Sequence, residues 1–371
     1  MDPKIRRLAK SLINYSVALK PGEKIFIDAN NPNAFLLAGA LVEEAYAVGG
    51  IPFYRLGDTK IQRAFLKRVT REQLELEEKN FLEFLQQMQA YIGFSARENI
   101  FEMSDVPKEK MKLVSEIDKP STDYRVKHTK WCVLRWPTFG MAQSAEMSSE
   151  AFEDFYYKVC LLDYAKMSKA MDALVDLMNK TDKVHILGVG TDLNFSIKGI
   201  PAIKCDGKFN IPDGEIFTAP VRDSVNGRIY FTAPTIEESK RFGGISLLFQ
   251  DGKIISATCE QGSQESLNEI LSRDEGARYV GEFAIGVNPY IDKAMLNILF
   301  DEKIAGSFHF TPGACYDEAP NGNDSQIHWD MVCIQTLEYG GGEIYFDGIL
   351  VRKDGCFVLP ELLALNPENL I

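Results

Sequence analysis

Lys24-Ile25-Phe26-Ile27-Asp28 reads as a short strand, Ala34 to Val48 as a helix stopped by Gly49-Gly50, and Ile51-Pro52-Phe53-Tyr54-Arg55-Leu56 as a second strand. Strand, helix and strand joined by short loops make a βαβ unit, which requires a parallel sheet. Upstream, Ile5, Leu8, Ala9, Leu12, Ile13 and Val17 fall at helical spacing, and Pro21-Gly22 ends that helix. Downstream, Thr70 and Gln73 form a capping box for a helix running to about Ala90. Tyr91 to Phe94 and Trp131 to Trp136 read as further strands, and Ser149 to Asn179 as one long helix carrying the chain onward.

The texture changes after about Asp182. Lys183 to Leu187 is a strand, and the segments beyond it are short and turn-rich. Asp251-Gly252 between Ser246–Phe249 and Lys253–Ser256 is a two-residue hairpin signal, and Asn226-Gly227 and Asp354-Gly355 have the same turn chemistry. At 371 residues the chain exceeds the size at which one core usually keeps growing. The expectation is an α/β N-terminal domain over residues 1–180 and a β-rich α+β C-terminal domain over 181–371 that holds the chemistry.

The net charge of −12 argues against nucleic acid as a partner, which would call for a basic face. Seven cysteines without a CxxC pair fit reduced thiols better than a disulfide framework. The N-terminus lacks a secretory apolar core, and no run approaches the roughly 20 apolar residues of a membrane span. A cytoplasmic protein with no membrane partner is expected.

Two of only four histidines fall between Ser307 and Asp330. His309 is followed by Tyr316, and His328 by Asp330. Residues i and i+2 of a strand share a face, so His328 and Asp330 can meet one ion. Imidazole and carboxylate with few thiolates is the donor set of hydrolytic metals. For His309 a satisfied core histidine is an equal alternative. His185 reads as a half-buried strand residue and His128 as part of a solvated basic face. Pro212–Pro220 and Gly281–Pro289 each set one glutamate, Glu215 and Glu282, among apolar residues. A carboxylate there must pair, shift its pKa or bind a cation, unless it reaches solvent from a strand end. Gly188-Val189-Gly190 lacks the third glycine of a dinucleotide loop at position 193.

Taken together, Gly214–Pro220, Gly281-Glu282-Phe283, His309 with Tyr316, and Ser325–Met331 resemble the M29 aminopeptidases, the thermophilic aminopeptidase T group. Asp223–Gly227 and Asp274–Arg278 agree, and the N-terminal half matches more loosely through Tyr15-Ser16-Val17 and Lys20–Glu23. The resemblance implies a two-domain, homodimeric aminopeptidase that releases N-terminal amino acids from peptides bearing a free N-terminus. It implies two divalent ions (zinc, with cobalt or manganese as substitutes) held by Glu215, Glu282, His309, Tyr316, His328 and Asp330. Tyr316 would be a ligand or a donor to the oxyanion, and Glu215 or Glu318 the general base. The chain departs from the family in being shorter, in a compressed stretch between Tyr316 and His328, and in Thr311–Cys315; these bear on pocket shape and substrate preference. Two alternatives stand beside this reading. One is a dinuclear hydrolase of another amide, an ester or a phosphate, with Arg222, Arg228, Arg278 and Lys303 as the basic residues in question. The other is a non-catalytic binding protein on the same fold.

Overall fold

A computed structural model describes residues 2–371 and resolves two units, residues 2–161 with Gly207–Ile211, and Leu162–Asp206 with Pro212–Ile371. In the first, β1 (Lys24–Asn30), β2 (Ile51–Gly57), β3 (Ala90–Ser95) and β4 (Lys130–Arg135) are parallel, in the order β2-β1-β3-β4, with Asn210–Ile211 added beside β4. Ile25, Phe26, Ile27 and Ala29 are all buried, as expected of a strand covered on both faces. Helix α1 (Pro3–Ser11) continues through one π-turn, Leu12–Ser16, before the chain reaches the sheet. Helix α2 (Phe35–Ala47) makes the crossover from β1 to β2 that the sequence predicts. Thr70 and Gln73 form the expected capping box. The helix behind it, Arg71–Leu85, stops five residues short of Ala90 because Leu85 and Met88 turn in to pack on Phe26.

The long helix expected over Ser149–Asn179 is instead two, Ser149–Cys160 and Tyr164–Met178. Asp163 accounts for the break: its carboxylate accepts the Lys166 N–H at 2.9 Å and starts a new helix. No helix among the described residues is long and apolar enough to cross a membrane. All seven cysteines are free.

The second unit carries an antiparallel sheet of eight strands and another of five. In the larger sheet Asp251 and Gly252 take φ of 48° and 81°, the two positive values of a type I′ hairpin. Asn226-Gly227, read as a turn, opens a strand instead. Gly227 sits between Leu193 and Phe249, and a Cβ there would lie 2.1 Å from the Asp192 carbonyl oxygen, so the glycine serves close backbone approach. Gly188-Val189-Gly190 turns a hairpin between two antiparallel strands and precedes no helix.

The smaller sheet positions the chemistry. It runs β8 (Met331–Ile334), β7 (Ser307–Pro312), β6 (Val280–Gly286), β5 (Glu215–Thr218), then Ile203–Cys205. Every residue of β5 to β8 is buried. The period-2 alternation sorts them by face. Phe283, Phe308 and Phe310 turn to one side, where Phe195 packs 5.0 Å from Phe283 and 5.2 Å from Phe310. Glu282, His309 and Thr311 turn to the other. Each buried phenylalanine contributes about 1.5–3 kcal/mol, which offsets part of the cost of an acidic face held away from water.

Candidate metal centre

Strand register assembles the cluster. Ala284 lies opposite His309 on one side and Phe217 on the other, and Gly286 lies opposite Glu215. Small residues at 284 and 286 leave room for longer side chains beside them. Asp330 precedes β8 by one residue, and its Oδ1 accepts the Thr311 hydroxyl proton at 2.6 Å across the sheet. Trp329 turns to the opposite side and donates its indole N–H to Thr235 at 3.1 Å, so His328 and Asp330 share the inner face as their spacing predicts. The His328 backbone bridges Gly313, whose φ is 115° and where a Cβ would meet the Ile327 carbonyl oxygen at 2.1 Å.

Glu282 is the hub. Its Oε1 lies 3.1 Å from His309 Nε2, and its Oε2 lies 3.2 Å from His328 Nε2. Glu215 Oε2 lies 3.6 Å from His309 Nε2, and Asp330 Oδ1 lies 3.3 Å from His328 Nε2. Two groups of three donors follow, Glu215–Glu282–His309 and Glu282–His328–Asp330, each with its ligand atoms within 4.8 Å of one another. His328 Nδ1 is 2.8 Å from the Ala314 carbonyl oxygen, which fixes Nδ1 as the donor and turns Nε2 toward the carboxylates. Glu215 Oε2, His309 Nδ1 and His328 Nε2 are buried without a hydrogen-bond partner. Glu215 Oε2 and His328 Nε2, buried without a partner beside the other donor atoms, are what a divalent cation would satisfy, so the residues fit one. Tyr316 meets His328 in a tilted contact at 4.6 Å and Phe217 edge-to-face at 5.5 Å, with 46% of its surface exposed at the mouth of the cluster. Glu318 is exposed.

The charges show what the site wants. Burial disfavours a charged His309, yet Glu215, Glu282 and Asp330 outweigh it and hold its pKa at about 9. His328 is raised well above its ordinary value against the same penalty, chiefly by Asp330 and Glu282. Burial also works against the Asp330 and Glu282 carboxylates, but the two imidazoles keep both below the usual range. Burial and four carboxylates raise the Tyr316 phenol, so it stays protonated at neutral pH. Without metal, therefore, protons on two imidazoles balance the acids. These raised values contribute stability that is complete below about pH 6.5, the ordinary histidine value, and is lost as pH climbs through about 9. Loading metal at pH 7.5 must displace the protons, so titration calorimetry in buffers of different ionisation enthalpy should show about one proton released per ion bound, about two for the filled centre. A buffer-independent heat would contradict this.

Sequence reasoning missed the support beneath Glu215. Lys303 is 0% exposed, and its ammonium donates to Glu215 Oε1 at 2.7 Å and to Glu302, with Asp213 Oδ1 at 3.8 Å. Burial, resisted by Lys303 but reinforced by Glu215 and Asp330, lifts the Glu302 carboxyl to about 8. Cys205, Asp213 and Glu215 form a third donor group, but Lys303 already supplies its positive charge. The available signal was Asp301-Glu302-Lys303, a charged triplet between apolar Ile298–Phe300 and Ile304-Ala305. Arg222 instead packs on the Tyr279 ring and donates to Asn323, and Arg278 donates to Ser272 and the Ile254 carbonyl.

The family model described as thermophilic metalloprotease (M29) matches residues 1–357. Aminopeptidase PepS of Streptococcus thermophilus is 24% identical over 93% of this chain and 94% of its own length. Aminopeptidase 2 of Geobacillus stearothermophilus is 34% identical over 39% of this chain, and the match spans only 37% of that enzyme. The structure of wild-type AmpT from Thermus thermophilus superposes with a TM-score of 0.80 at 22% identity, covering 96% of this chain and 99% of that one.

Proposed function

The chain belongs to the thermophilic metalloprotease (M29) family, and from that premise we propose that it is a metal-dependent aminopeptidase acting on peptides with a free N-terminus. The observation that carries the reading is Glu282, whose two oxygens each face a different imidazole. In this reading Glu282 would contribute to both metal sites, with Glu215 and His309 completing one and His328 and Asp330 the other. An all-nitrogen-and-oxygen donor set suits zinc, with cobalt or manganese able to replace it. Two bound cations would lower the pKa of a shared water, polarise the scissile carbonyl and hold the substrate amine.

The chain's own groups divide the remaining work. Lys303 fixes one oxygen of Glu215 and leaves the other free, which suits Glu215 as a ligand better than as a base. Glu302 accepts from the same Lys303 ammonium and so helps hold it against Glu215. Tyr316, neutral and at the mouth, donates a hydrogen bond to the oxygen on which negative charge develops.

Hydrolysis of aminoacyl-p-nitroanilides and unblocked dipeptides should stop on chelation and return with zinc, cobalt or manganese. It should vanish for N-acetylated versions of the same substrates. Turnover of acetylated substrates, or none with any metal bound, would move the reading to another hydrolase substrate or to a binding role.

A further inference from the structure

The parallel sheet of the first unit carries polar groups that the metal centre does not use. Its strand order β2-β1-β3-β4 reverses direction between β1 and β3. In open α/β sheets of this order, the crevice at the carboxyl ends of those two strands is where ligands bind. Here β1 ends at Asn30, β3 at Ser95 and β4 at Arg135, and register pairs Asn30 with Ser95 and Ser95 with Arg135. Paired residues of a sheet project to the same side, so the three form one row. Arg97 follows two residues after Ser95.

These groups are unsatisfied. Asn30 Oδ1, Ser95 Oγ and Arg97 Nε are each buried without a hydrogen-bond partner. Arg135 lies at the solvent-exposed end of β4; partial desolvation and the Arg97 charge lower its pKa, and among the described residues no carboxylate pairs with either arginine. The acid beside Arg97, Glu98, is engaged by Asn33 at 2.6 Å. Structural arginines of the same unit look different: Arg55 holds Asp28 in a two-point pair at 3.0 and 2.6 Å, and Arg63 pairs with Asp105. Two guanidinium groups thus stand near one another at the ends of β3 and β4 without a paired acid. Asn31, at the turn leaving β1, takes a φ of 81°, which puts backbone strain at the same point.

We propose that the carboxyl-end crevice between β1, β3 and β4 binds a small oxyanion, a carboxylate or a phosphate group, between Arg97 and Arg135. The planar guanidinium fork matches both. Ser95 Oγ–H adds a third donor. Asn30 Oδ1 is an acceptor, which a hydrogen phosphate can satisfy through its O–H and a carboxylate cannot.

Titration calorimetry on the metal-loaded protein, with inorganic phosphate and separately with N-acetylglycine, tests the site. The blocked amine keeps the second probe from being a substrate. Wild type should show a binding event that Arg97→Ala and Arg135→Ala weaken by roughly tenfold or more. Binding of phosphate alone assigns the site to phosphate groups, and binding of N-acetylglycine alone assigns it to carboxylates. Any contribution of the metal centre is common to all variants and cancels. Arg97→Lys, which keeps charge but loses the fork, gives the same reading if an alanine variant does not fold. Identical isotherms in wild type and all three variants, with both probes, overturn the proposal.

Discussion

Glu282→Gln should give a folded protein that retains neither metal ion and has lost at least two to three orders of magnitude of peptidase activity. The side chain is 3% exposed at the centre of β6, and glutamine keeps its volume, so packing is preserved. What goes is the charge shared by both donor groups. With it goes the counter-charge that both imidazoles face at about 3 Å. Loss of one preorganised electrostatic group typically costs about 10²–10³ in rate, and here one substitution weakens two sites together. His328→Ala is the informative contrast. His328 belongs to only one of the two groups, so that variant should keep one ion and still lose activity. Metal content by plasma mass spectrometry, with circular dichroism to check folding, separates the cases. Two ions retained in Glu282→Gln would remove Glu282 from the position common to both sites.

The two substitutions also mark what the sequence could and could not display. The parallel sheet was legible because Lys24–Leu56 contains a complete strand–helix–strand pattern with its own stop signals. His328 and Asp330 were legible because their two-residue spacing matches the strand period, and Trp329 between them anchors to the other side. Glu215 and Glu282 stood out as acids in apolar text. Their meeting was not legible, because it depends on the register of β5, β6 and β7, segments lying dozens of residues apart. Asn226-Gly227 failed as a turn for a related reason: the same glycine that permits a turn also permits a neighbouring strand to pass at 2.1 Å from where a Cβ would be. The helix break at Asp163 was hidden because an aspartate inside a helical pattern and an aspartate capping a new helix look alike without the flanking backbone. Lys303 was hidden for the opposite reason, since a lysine beside two acids usually means solvent.

Lys303→Met should destabilise the metal-free protein by about 3–5 kcal/mol, the usual cost of removing one partner from a buried ion pair, and the loss should grow with pH. Methionine fills the same space, so the effect is electrostatic. In the wild type the ammonium offsets Glu215 and Glu302 at hydrogen-bond range and Asp213 at 3.8 Å. Burial dominates the Glu302 carboxyl and already holds it at about 8 with Lys303 pulling it down, so without Lys303 it rises further. A carboxyl whose folded-state pKa lies above its unfolded value binds its proton more tightly when folded. Its contribution is therefore favourable below about pH 4.5, the ordinary value, and is lost as pH rises through the folded value. The variant's carboxyl is accordingly more fully protonated, in place of the ammonium, at pH 6 than at pH 9. Urea unfolding at the two pH values should show the smaller deficit at pH 6. Metal affinity should also drop by roughly 10–100-fold, as for other groups that orient a ligand, because Glu215 loses the donor that separates its two oxygens. A deficit under about 1 kcal/mol at pH 9, below the cost of an unpaired buried charge, would mean that water or a bound cation replaces Lys303. The charged triplet would then be a feature of the fold and not a support of the metal centre.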